Sequence, residues 1–342
     1  MAARNKNTQA DRIAAICRDE LRFNLVGFCA AEQTQHAAAL GSWLRAGKHG
    51  SMEWFTKHLD LRVDPGKLLP GAQSIILVAD VYAPRGDDDA EQPDTPERAG
   101  KIARYARGKD YHGVIKRRLH RLTDTLQGKY RREKFKAFVD TAPILEREHA
   151  ASAGLGWIGK NTLLIHPEIG SYFLLGGVLT TLKLTPPPEQ VAVEDHCGTC
   201  TKCIDACPTD AITPYSVDAS RCISEMTIER RGIIPEEFHE PIGDWLFGCD
   251  ICQEVCPHNS ERPEGVEQAD ILGAYKPRRR AFDVLEVLNW TEDDRREAFT
   301  TSAMKRAKLD MMQRNALIVA KNLLKDGDDP ELRAAVAAHE IV

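Results

Sequence analysis

The sequence predicts an α+β fold in three consecutive parts, and three observations support this prediction. Apolar runs of strand length alternate with helix-period segments through roughly the first 185 residues. Eight of the ten cysteines then lie between residues 197 and 256, and helical apolar spacing follows to the end of the chain. We therefore expect an α/β domain over residues 1–185, a cysteine-rich domain over 186–262 and a helical segment over 263–342.

Within the first part, each element is indicated by its own pattern. Residues 10–22 and 33–47 have helix-period apolar spacing, and LVGFCA between them is typical of a short strand. SIILVADVYAP predicts a buried strand, VIKRRLHRLTDTL an amphipathic helix, and KAFVDTAP a strand that ends at Asp140. The acidic GDDDAEQPDTPE stretch predicts a solvated loop, and TPPPEQ a linker. GLGWIG follows a helix and precedes a strand, the reverse of a dinucleotide site, so it predicts a glycine-rich turn against a flat ligand.

Composition and charge narrow the class of protein. The 342 residues are 42% hydrophobic and 28% charged, which is ordinary for a globular enzyme, and the net charge of -5 gives no overall signal for nucleic acid. The N-terminus carries no apolar export signal, and the longest apolar runs are strand-sized. We therefore expect a cytoplasmic protein without membrane contact, whose clustered thiols stay reduced and bind metal. Cys17 and Cys29, in apolar surroundings, are expected to be buried.

The cysteine-rich part has the spacing of a bacterial ferredoxin. HCGTCTKCIDACPTD contains C-x2-C-x2-C-x3-C followed by proline, whereas a zinc ribbon needs two cysteine pairs about a dozen residues apart. GCDICQEVCP supplies a second set, but Leu246 stands where a regular ferredoxin has a further cysteine, so Cys222 is expected to take that role. We predict two [4Fe–4S] clusters, one held by Cys197, Cys200, Cys203 and Cys256, and the other by Cys207, Cys222, Cys249 and Cys252.

Clusters of this kind transfer single electrons, so we expect the chemistry to lie in the α/β part. Asp140 follows a strand there, in VDTAP, and fits two hypotheses. One is an Asx-type turn, in which the carboxylate accepts hydrogen bonds from nearby backbone N–H groups. The other is a general acid or base beside a cofactor, where burial against an apolar ring would raise the pKa of the carboxyl toward neutrality.

Basic residues are concentrated in a few segments despite the acidic total. Residues 101–136 contain thirteen Lys or Arg against three acids, a local charge of +10. Further basic positions are the KPRRR run at 276–280 together with Arg230, Arg231, Lys305, Arg306, Lys308 and Arg314. Such positions suit contacts to a phosphate backbone that weaken with salt, although a solvated helix face is the alternative for Lys116–Arg121 taken singly.

Several long motifs together resemble the epoxyqueuosine reductase family. They are ARYARGKDYH, VDTAPILEREHAASAGLGWIGKNTLLI, CGTCTKCIDACPT, RCISEMTIE, GCDICQEVCPHN and TSAMKRAKLDMMQRNA, spread from about residue 50 to about residue 320. The resemblance implies that the epoxide of epoxyqueuosine, at the wobble position of tRNA, is reduced to the alkene of queuosine. It also implies base-off cobalamin beside the two clusters, in a nitroreductase-like α/β domain followed by a ferredoxin-like domain and HEAT-like helices.

The resemblance also implies roles for individual residues. Asp140 matches the family's proton donor. The positions that match the surroundings of cobalamin are Arg62, Arg104, Tyr105, Asp140, Lys160, Asn161, Asp250 and Ile251. For the tRNA substrate that the resemblance implies, we expect the basic positions Arg230, Arg231, Lys305, Arg306, Lys308 and Arg314 to contact the phosphate backbone. The helical tail is shorter than in longer members of the family, which leaves its tRNA contacts open.

Two other functions are also consistent with the sequence. A corrinoid reductive dehalogenase shares cobalamin and two clusters, but such enzymes usually carry an export signal and need no basic surface. A ferredoxin-type electron carrier would bind neither corrinoid nor tRNA. For the reductase we expect a monomer served by an unidentified low-potential electron donor. The sequence leaves open whether cobalt bonds the substrate carbon or only transfers electrons.

Overall fold

The computed structural model describes residues 8–86, 95–260 and 269–340, so most of the predicted acidic loop lies outside the described residues. The strands are β1 Leu25–Ala30, β2 Ser74–Val81, β3 Ala99–Ile102, β4 Phe135–Val139, β5 Trp157–Ile158, β6 Leu164–Ile165, β7 Phe173–Thr180, β8 Ile212–Thr213, β9 Ser216–Val217, β10 Trp245–Phe247 and β11 Ala281–Asp283. The helices are α1 Gln9–Ala15, α2 Ala37–Arg45, α3 Leu59–Val63, α4 Pro65–Leu68, α5 Tyr111–Lys129, α6 Glu146–Ser152, α7 Lys202–Asp205, α8 Ile223–Ile228, α9 His239–Ile242, α10 Ile251–Glu254, α11 Pro257–Ser260, α12 Val284–Leu288, α13 Glu292–Ala298, α14 Leu309–Asp326 and α15 Pro330–Glu340. Single turns occur at Ile16–Glu20, Glu53–Phe55, Arg104–Ala106, Ala219–Arg221, Glu236–Phe238 and Ala303–Arg306.

The main sheet has the strand order β1-β2-β7-β4, and every pairing in it is antiparallel. Alternating strands and helices often form a parallel sheet, so the antiparallel pairing makes this part α+β. All of β2 is buried because both faces of the sheet are covered. Ile76 and Val78 pack into the core on the α5 side, whereas Ile75 and Leu77 pack into the core on the α6 side.

A second sheet joins the three predicted parts of the chain. Its central strand β3 comes from the α/β part and pairs in parallel with β10 of the cysteine-rich part. On its other edge β3 pairs antiparallel with β11 of the helical segment. Ile102, Phe247 and Phe282, one from each strand, are buried in the same apolar core. The parts predicted to meet near residues 185 and 262 therefore share a sheet and a core.

The GLGWIG turn brings two backbone segments together. Gly156 has φ +148°, and a Cβ there would lie 2.2 Å from the carbonyl oxygen of Ile165 in the β5–β6 hairpin. Gly154 has φ +70°, and a Cβ there would lie 2.6 Å from the carbonyl oxygen of Val191. Glycine is required at both positions, because a side chain there would clash with the neighbouring backbone. The close approach predicted for a flat ligand is thus made by the chain itself.

The end of the chain is helical, as the apolar spacing predicts. Helix α14 is the longest element of this part, and it packs against α12, α15, α9 and β10. Its buried residues Met312, Ala316 and Val319 belong to the same core as the second sheet. No helix within the described ranges combines the length and the apolar character needed to cross a membrane.

Candidate functional site

The cysteine-rich part contains little regular structure, and short helices position its thiols. Cys203 lies in α7, Cys252 lies in α10, and Cys222 is the residue before α8. All ten cysteines lie within the described residues, and none of them is in a disulfide. Cys17 and Cys29 are buried apart from the other eight, as the sequence predicts.

The four cysteines predicted to hold the first cluster are electrostatic neighbours. Burial raises the pKa of Cys203, and the nearby thiols of Cys256, Cys197 and Cys200 raise it further. Burial also raises the pKa of Cys256, with added contributions from Cys197 and Cys200. The fold therefore brings Cys256, from the second cysteine motif, beside the first three cysteines of the first motif.

The other four cysteines form a second set beside the first. Burial raises the pKa of Cys249, and Cys222 and Cys207 add to the increase. Cys252 interacts with Cys249 and Cys222, and it also interacts with Cys203 of the first set. Across the described residues, no group of three or more His, Cys, Asp or Glu side chains could hold a metal ion. A [4Fe–4S] cluster does not need several ligands around one ion, since each of its cysteines binds a different iron atom.

Lys160 and Asn161, which follow the GLGWIG turn, contact the cysteine loops. The Nζ atom of Lys160 donates hydrogen bonds to the carbonyl oxygens of Gly198 at 2.6 Å and Cys200 at 3.0 Å. Asn161 is buried, and its Nδ2 donates to the carbonyl oxygen of Cys252 at 3.3 Å. These side chains fasten segments of both cysteine sets to the β5–β6 hairpin. Their sequence-implied role beside cobalamin stays a prediction.

Asp140 begins the loop after β4, and its side chain is 40% exposed. One carboxylate oxygen accepts a hydrogen bond from the Tyr111 hydroxyl, and the other lies 2.8 Å from Nε2 of His112. Among the described residues, both partners of this carboxylate are thus side chains. An Asx turn would instead pair the carboxylate with backbone N–H groups, so the arrangement favours the hypothesis of a functional acid.

His112 lies between two carboxylates at the start of α5. Its Nδ1 is 2.7 Å from Oδ1 of Asp110, which caps the helix, and its Nε2 faces Asp140. Burial alone would lower the pKa of His112, but the hydrogen bonds and charges of Asp110 and Asp140 raise it to about 9. The imidazole ring is therefore positively charged at neutral pH.

Arg62 is buried beside two aromatic rings. Its guanidinium carbon lies 4.6 Å from the ring centre of Phe55 and 5.4 Å from that of Trp54. Burial lowers the pKa of Arg62, and the negative charge of Glu146 opposes that effect. Burial raises the pKa of Glu146, which also interacts with Asp140. Arg62, Glu146 and Asp140 therefore lie in one region.

Asp250 and Tyr105 connect this region to the second cysteine set. Asp250 is buried, and its Oδ2 accepts a hydrogen bond from the backbone N–H of Arg104 at 2.6 Å. Burial raises the pKa of Asp250 to about 6. Burial raises the pKa of Tyr105 as well, and the charges of Asp250 and Asp140 raise it further. Tyr105 thus lies near both the Cys249–Cys252 loop and Asp140.

Two of the predicted tRNA contacts, Arg230 and Arg314, are part of the internal structure. The guanidinium of Arg314 donates hydrogen bonds to the carbonyl oxygens of Met226 at 2.8 Å and Arg230 at 2.9 Å. Burial lowers the pKa of Arg314 to about 10. Arg230 donates to the carbonyl oxygen of Ser220 at 3.1 Å and lies 3.5 Å from a carboxylate oxygen of Glu225. Both side chains stabilise the loop after α8.

The remaining predicted tRNA contacts are exposed and form what we call the basic face, which consists of Arg231, Lys305, Arg306 and Lys308. The guanidinium carbon of Arg306 lies 5.7 Å from the ring centre of Trp54, so this face adjoins the Arg62 region. Lys305 interacts electrostatically with Asp110, the partner of His112. The basic face is therefore next to Asp140 and its neighbours.

The +10 charge of residues 101–136 overstates the basic surface there. Arg104 and Arg107 are buried, and Nη1 of Arg118 lies 3.1 Å from Oδ1 of the fully buried Asp80. These three arginines turn inward because buried carboxylates and carbonyl groups need donors. These three side chains therefore do not contribute to an exposed basic surface.

A cavity of about 450 Å³ lies away from these groups, between β1, α6 and the predicted linker. Its lining includes Cys29, Glu148, His149 and Gln190, and none of the predicted site residues. Burial raises the pKa of Cys29 to about 12, so its thiol is uncharged at neutral pH. Nothing in this cavity matches the predicted redox chemistry.

Sequence reasoning gave no role to four side chains in the candidate site, namely Trp54, Tyr111, His112 and Glu146. The KDYH end of the ARYARGKDYH motif contained a signal for two of them. An acidic residue that caps a helix can meet a histidine two positions later, and the helix then directs both toward the adjacent strand end. Trp54 and Glu146 have no comparable sequence signal.

Two family models match this chain. Residues 62–141 match the family described as "Epoxyqueuosine reductase QueG, DUF1730". Residues 196–259 match the family described as "4Fe-4S double cluster binding domain". The second match covers all eight cysteines of the two sets.

Whole-chain comparisons agree with the family models. A curated epoxyqueuosine reductase from Leadbetterella byssophila is 40% identical over 302 residues, which are 88% of this chain and 95% of that protein. A solved epoxyqueuosine reductase from Bacillus subtilis, with its catalytic aspartate loop swung out of the active site, has 29% identity and a TM-score of 0.79. The match covers 96% of this chain and 88% of that one. Another, with an epoxyqueuosine-modified tRNA-Tyr stem loop, has 31% identity and a TM-score of 0.75, covering 92% of this chain and 85% of that one.

Proposed function

Since this chain belongs to the epoxyqueuosine reductase family, we propose that it reduces the epoxide of epoxyqueuosine in tRNA to the alkene of queuosine. The observation that carries this proposal is the position of Asp140. Its carboxylate is held by Tyr111 and His112 and adjoins both the second cysteine set and the basic face. An acid, an electron path and a surface for a polyanion are the three parts that this reaction requires.

The eight cysteines hold two [4Fe–4S] clusters. The proposed ligands are Cys197, Cys200, Cys203 and Cys256 for one cluster, and Cys207, Cys222, Cys249 and Cys252 for the other. The grouping of the thiols into two adjacent sets supports this assignment. Cys203 and Cys252 lie where the sets approach each other, which allows single electrons to pass between the clusters.

Cobalamin is the cofactor that the family implies, and the residues present suit it. The Nε of Arg62 is buried without a hydrogen-bond partner within the described part of the chain, so it is available to a ligand. The residues proposed to hold the corrin and its amide groups are Arg62, Arg104, Tyr105, Asp250 and Ile251, with Lys160 and Asn161 supporting the adjoining loops. When bound and reduced, cobalamin supplies a low-potential cobalt centre for opening the epoxide.

Asp140 is the proposed general acid. Opening the epoxide leaves negative charge on its oxygen, and a carboxyl group beside that oxygen can supply the proton. The loop position of Asp140 agrees with a solved relative in which a catalytic aspartate loop is swung out of the active site. Tyr111 and His112 contact the two carboxylate oxygens, so they fix the orientation of the carboxyl group.

The basic face is the proposed docking surface for the anticodon stem loop. Arg231, Lys305, Arg306 and Lys308 are exposed, and two of them also have partners in the chain, since Arg231 donates to the carbonyl oxygen of Arg306 and Arg306 pairs with Glu229. Exposed basic side chains contact phosphates at little desolvation cost. Trp54, 38% exposed between Arg62 and Arg306, offers an aromatic surface for a splayed nucleotide. A solved relative contains such a stem loop, which agrees with this assignment.

The finer architecture follows the family as well. The proposed parts are a nitroreductase-like domain over residues 1–185, a ferredoxin-like domain over 186–262 and HEAT-like helices over 263–342. The second sheet supports their tight association. The protein acts as a cytoplasmic monomer, and a low-potential one-electron carrier supplies its electrons.

Nucleoside mass spectrometry tests the proposed function. Protein purified without oxygen, with about two [4Fe–4S] clusters and cobalamin bound, should convert epoxyqueuosine to queuosine in tRNA when a strong reductant is added. A deletion strain should accumulate epoxyqueuosine in its tRNA and lose queuosine. Unchanged queuosine in a strain without a second such enzyme contradicts the proposal. A protein that contains the clusters but neither binds corrinoid nor converts the tRNA would instead be a ferredoxin-type electron carrier.

A further inference from the structure

The proposed reaction needs more protons than Asp140 can hold. Converting an epoxide to an alkene breaks both C–O bonds, turns the C–C single bond between the two carbons into a double bond and releases the oxygen as water. The change consumes two electrons, which the low-potential donor supplies, and two protons. A single carboxyl group carries one proton at most, so a second group must recharge it or act beside it.

The ring of His112 is placed to recharge Asp140. Its Nε2 lies 2.8 Å from Oδ1 of Asp140, and its Nδ1 lies 2.7 Å from Oδ1 of Asp110. Ionised carboxylates only accept hydrogen bonds, so once Asp140 has given up its proton, each ring nitrogen of His112 faces a group that accepts a hydrogen. In that state the doubly protonated ring lies between two acceptors and holds a proton directed at Asp140.

We propose that His112 is the proton-supplying partner of Asp140 and that Asp110 holds the charged ring in place. This inference rests on the proposed function, because it assumes that Asp140 protonates the departing oxygen. After that transfer, the hydrogen on Nε2 of His112 moves to Oδ1 of Asp140, and water reprotonates Nε2. The His112 side chain is 32% exposed, which allows that last step.

Tyr111 has a different role at the same carboxylate. Its hydroxyl donates a hydrogen bond to Oδ2 of Asp140, and its ring stacks on His112 with 4.1 Å between ring centres. Burial and the charge of Asp140 raise the pKa of Tyr111, so the hydroxyl keeps its proton. Tyr111 is thus a positioning residue that orients Asp140 and stacks on the ring.

The charged groups around His112 and Asp140 favour the protonated, imidazolium form of His112. Asp110, from the start of α5, and Asp140, from the loop after β4, both face His112 and raise its pKa to about 9 against the opposing effect of burial. The positive charge of Lys305 lowers the pKa of Asp110, while Glu146 and Tyr105 interact electrostatically with Asp140. At neutral pH the ring therefore carries the proton that the mechanism consumes.

Single-turnover kinetics of the complete holoenzyme test the proposal. The rate of alkene formation on epoxyqueuosine tRNA would be measured from pH 6 to pH 10 with an excess of chemical reductant. The wild-type rate should be level near neutral pH and fall with an apparent pKa near 9. The rate of His112→Gln should be about 100-fold lower at pH 7.5, because solvent alone then recharges Asp140. The decrease in rate near pH 9, which we call the alkaline limb, should be absent from this variant.

Three further variants separate proton supply from structure. Asp110→Asn should move the alkaline limb to lower pH, since one carboxylate that favours the imidazolium is removed. Tyr111→Phe should reduce the rate but leave the apparent pKa of the alkaline limb unchanged. His120→Gln, at an exposed histidine of the same helix, should match the wild type. Iron content, corrinoid content and thermal unfolding are measured for each variant, so a loss of folding is recognised.

Titration of His112 by NMR gives a readout that does not depend on turnover. Protein with 13C at the histidine Cε1, assigned with His112→Gln, should show the His112 pKa near 9, and Asp140→Asn should lower it. A folded His112→Gln variant with the wild-type pH profile overturns the inference, and so does a His112 pKa near 6.5 in the wild type. A wild-type holoenzyme that does not convert the tRNA contradicts the proposed function instead.

Discussion

At the scale of single residues, the candidate site is a set of side chains that satisfy one another. The Asp140 carboxylate is held by Tyr111 and His112, and the ring of His112 is held in turn by Asp110. Such a chain restricts the carboxylate to one orientation, which a lone exposed aspartate would not have. Reactive groups in proteins depend on partners of this kind for their direction as well as their protonation state.

Replacing Asp140 with alanine should abolish turnover without removing the cofactors. The side chain contacts Tyr111 and His112 and none of the eight cysteines, so iron and corrinoid content should stay at the wild-type level. We expect the single-turnover rate to fall at least about 100-fold, the usual contribution of a general acid. Turnover within a few fold of the wild type would show that Asp140 is a loop residue without a catalytic role.

Serine substitutions at Cys256 and Cys249 should each remove one cluster. Cys256 is grouped with Cys197, Cys200 and Cys203, whereas Cys249 is grouped with the other set. Each variant should therefore keep about half of the iron, and the two should differ in the EPR spectrum of the cluster that remains. Loss of the same signal in both variants would contradict the assignment of ligands.

At the scale of elements, α14 connects the helical end of the chain to the cysteine-rich part. Arg314 donates hydrogen bonds from this helix to carbonyl oxygens of the loop after α8, and Asn315 donates to the carbonyl oxygens of Thr227 and Leu246. These side chains satisfy backbone groups in irregular segments that no strand or helix ladder can satisfy. The helix therefore sets the position of the loop that precedes the basic face.

Arg314→Met should lower the stability of the protein. It leaves the carbonyl oxygens of Met226 and Arg230 without their donor, and unpaired buried groups of this kind cost about 1–3 kcal/mol each. Chemical denaturation should show a loss of about 2 kcal/mol or more. Lys308→Ala is the matched control on the basic face and should change stability by less than about 0.5 kcal/mol while weakening tRNA binding. The reverse pattern would place Arg314 in the tRNA interface.

At the scale of the whole molecule, β3 lies at the centre of the assembly. It pairs with β10 and β11, which come from the two later parts of the chain. The core beside it combines residues from all three parts, including Ile102, Phe247 and Phe282. A shared core of this kind makes the relative position of the cysteine sets and Asp140 a property of the complete fold.

A protein truncated after residue 262 should therefore fail to fold as a soluble unit. It lacks β11 and the helices that cover Ile102 and Phe247, so it would expose a strand edge and a large apolar surface. We expect aggregation on expression and no retained iron, measured against the full chain under the same conditions. A soluble truncated protein with two clusters would show that the first two parts are independent of the third.

Most of the elements could be predicted because local patterns determine them. The buried strand at Ser74–Val81, the amphipathic helix within Tyr111–Lys129 and the strand before Asp140 all follow from apolar periodicity. The ferredoxin spacing also led to the double-cluster prediction that the family comparison confirms. Which basic residues are exposed could not be predicted, because burial depends on partners that are distant in sequence, as for Arg118 with Asp80 and Arg314 with Met226.

The sequence by itself determined the redox class and the family, because both depend on residue identity within local motifs, and the family resemblance indicated Asp140 as the candidate acid. The tertiary structure alone decided that Tyr111 and His112 hold Asp140 and that one sheet spans all three parts. It also separated the exposed basic face from the arginines that serve the interior. The physical reason is that orientation, burial and charge pairing arise from contacts between distant segments, which form only when the chain is packed.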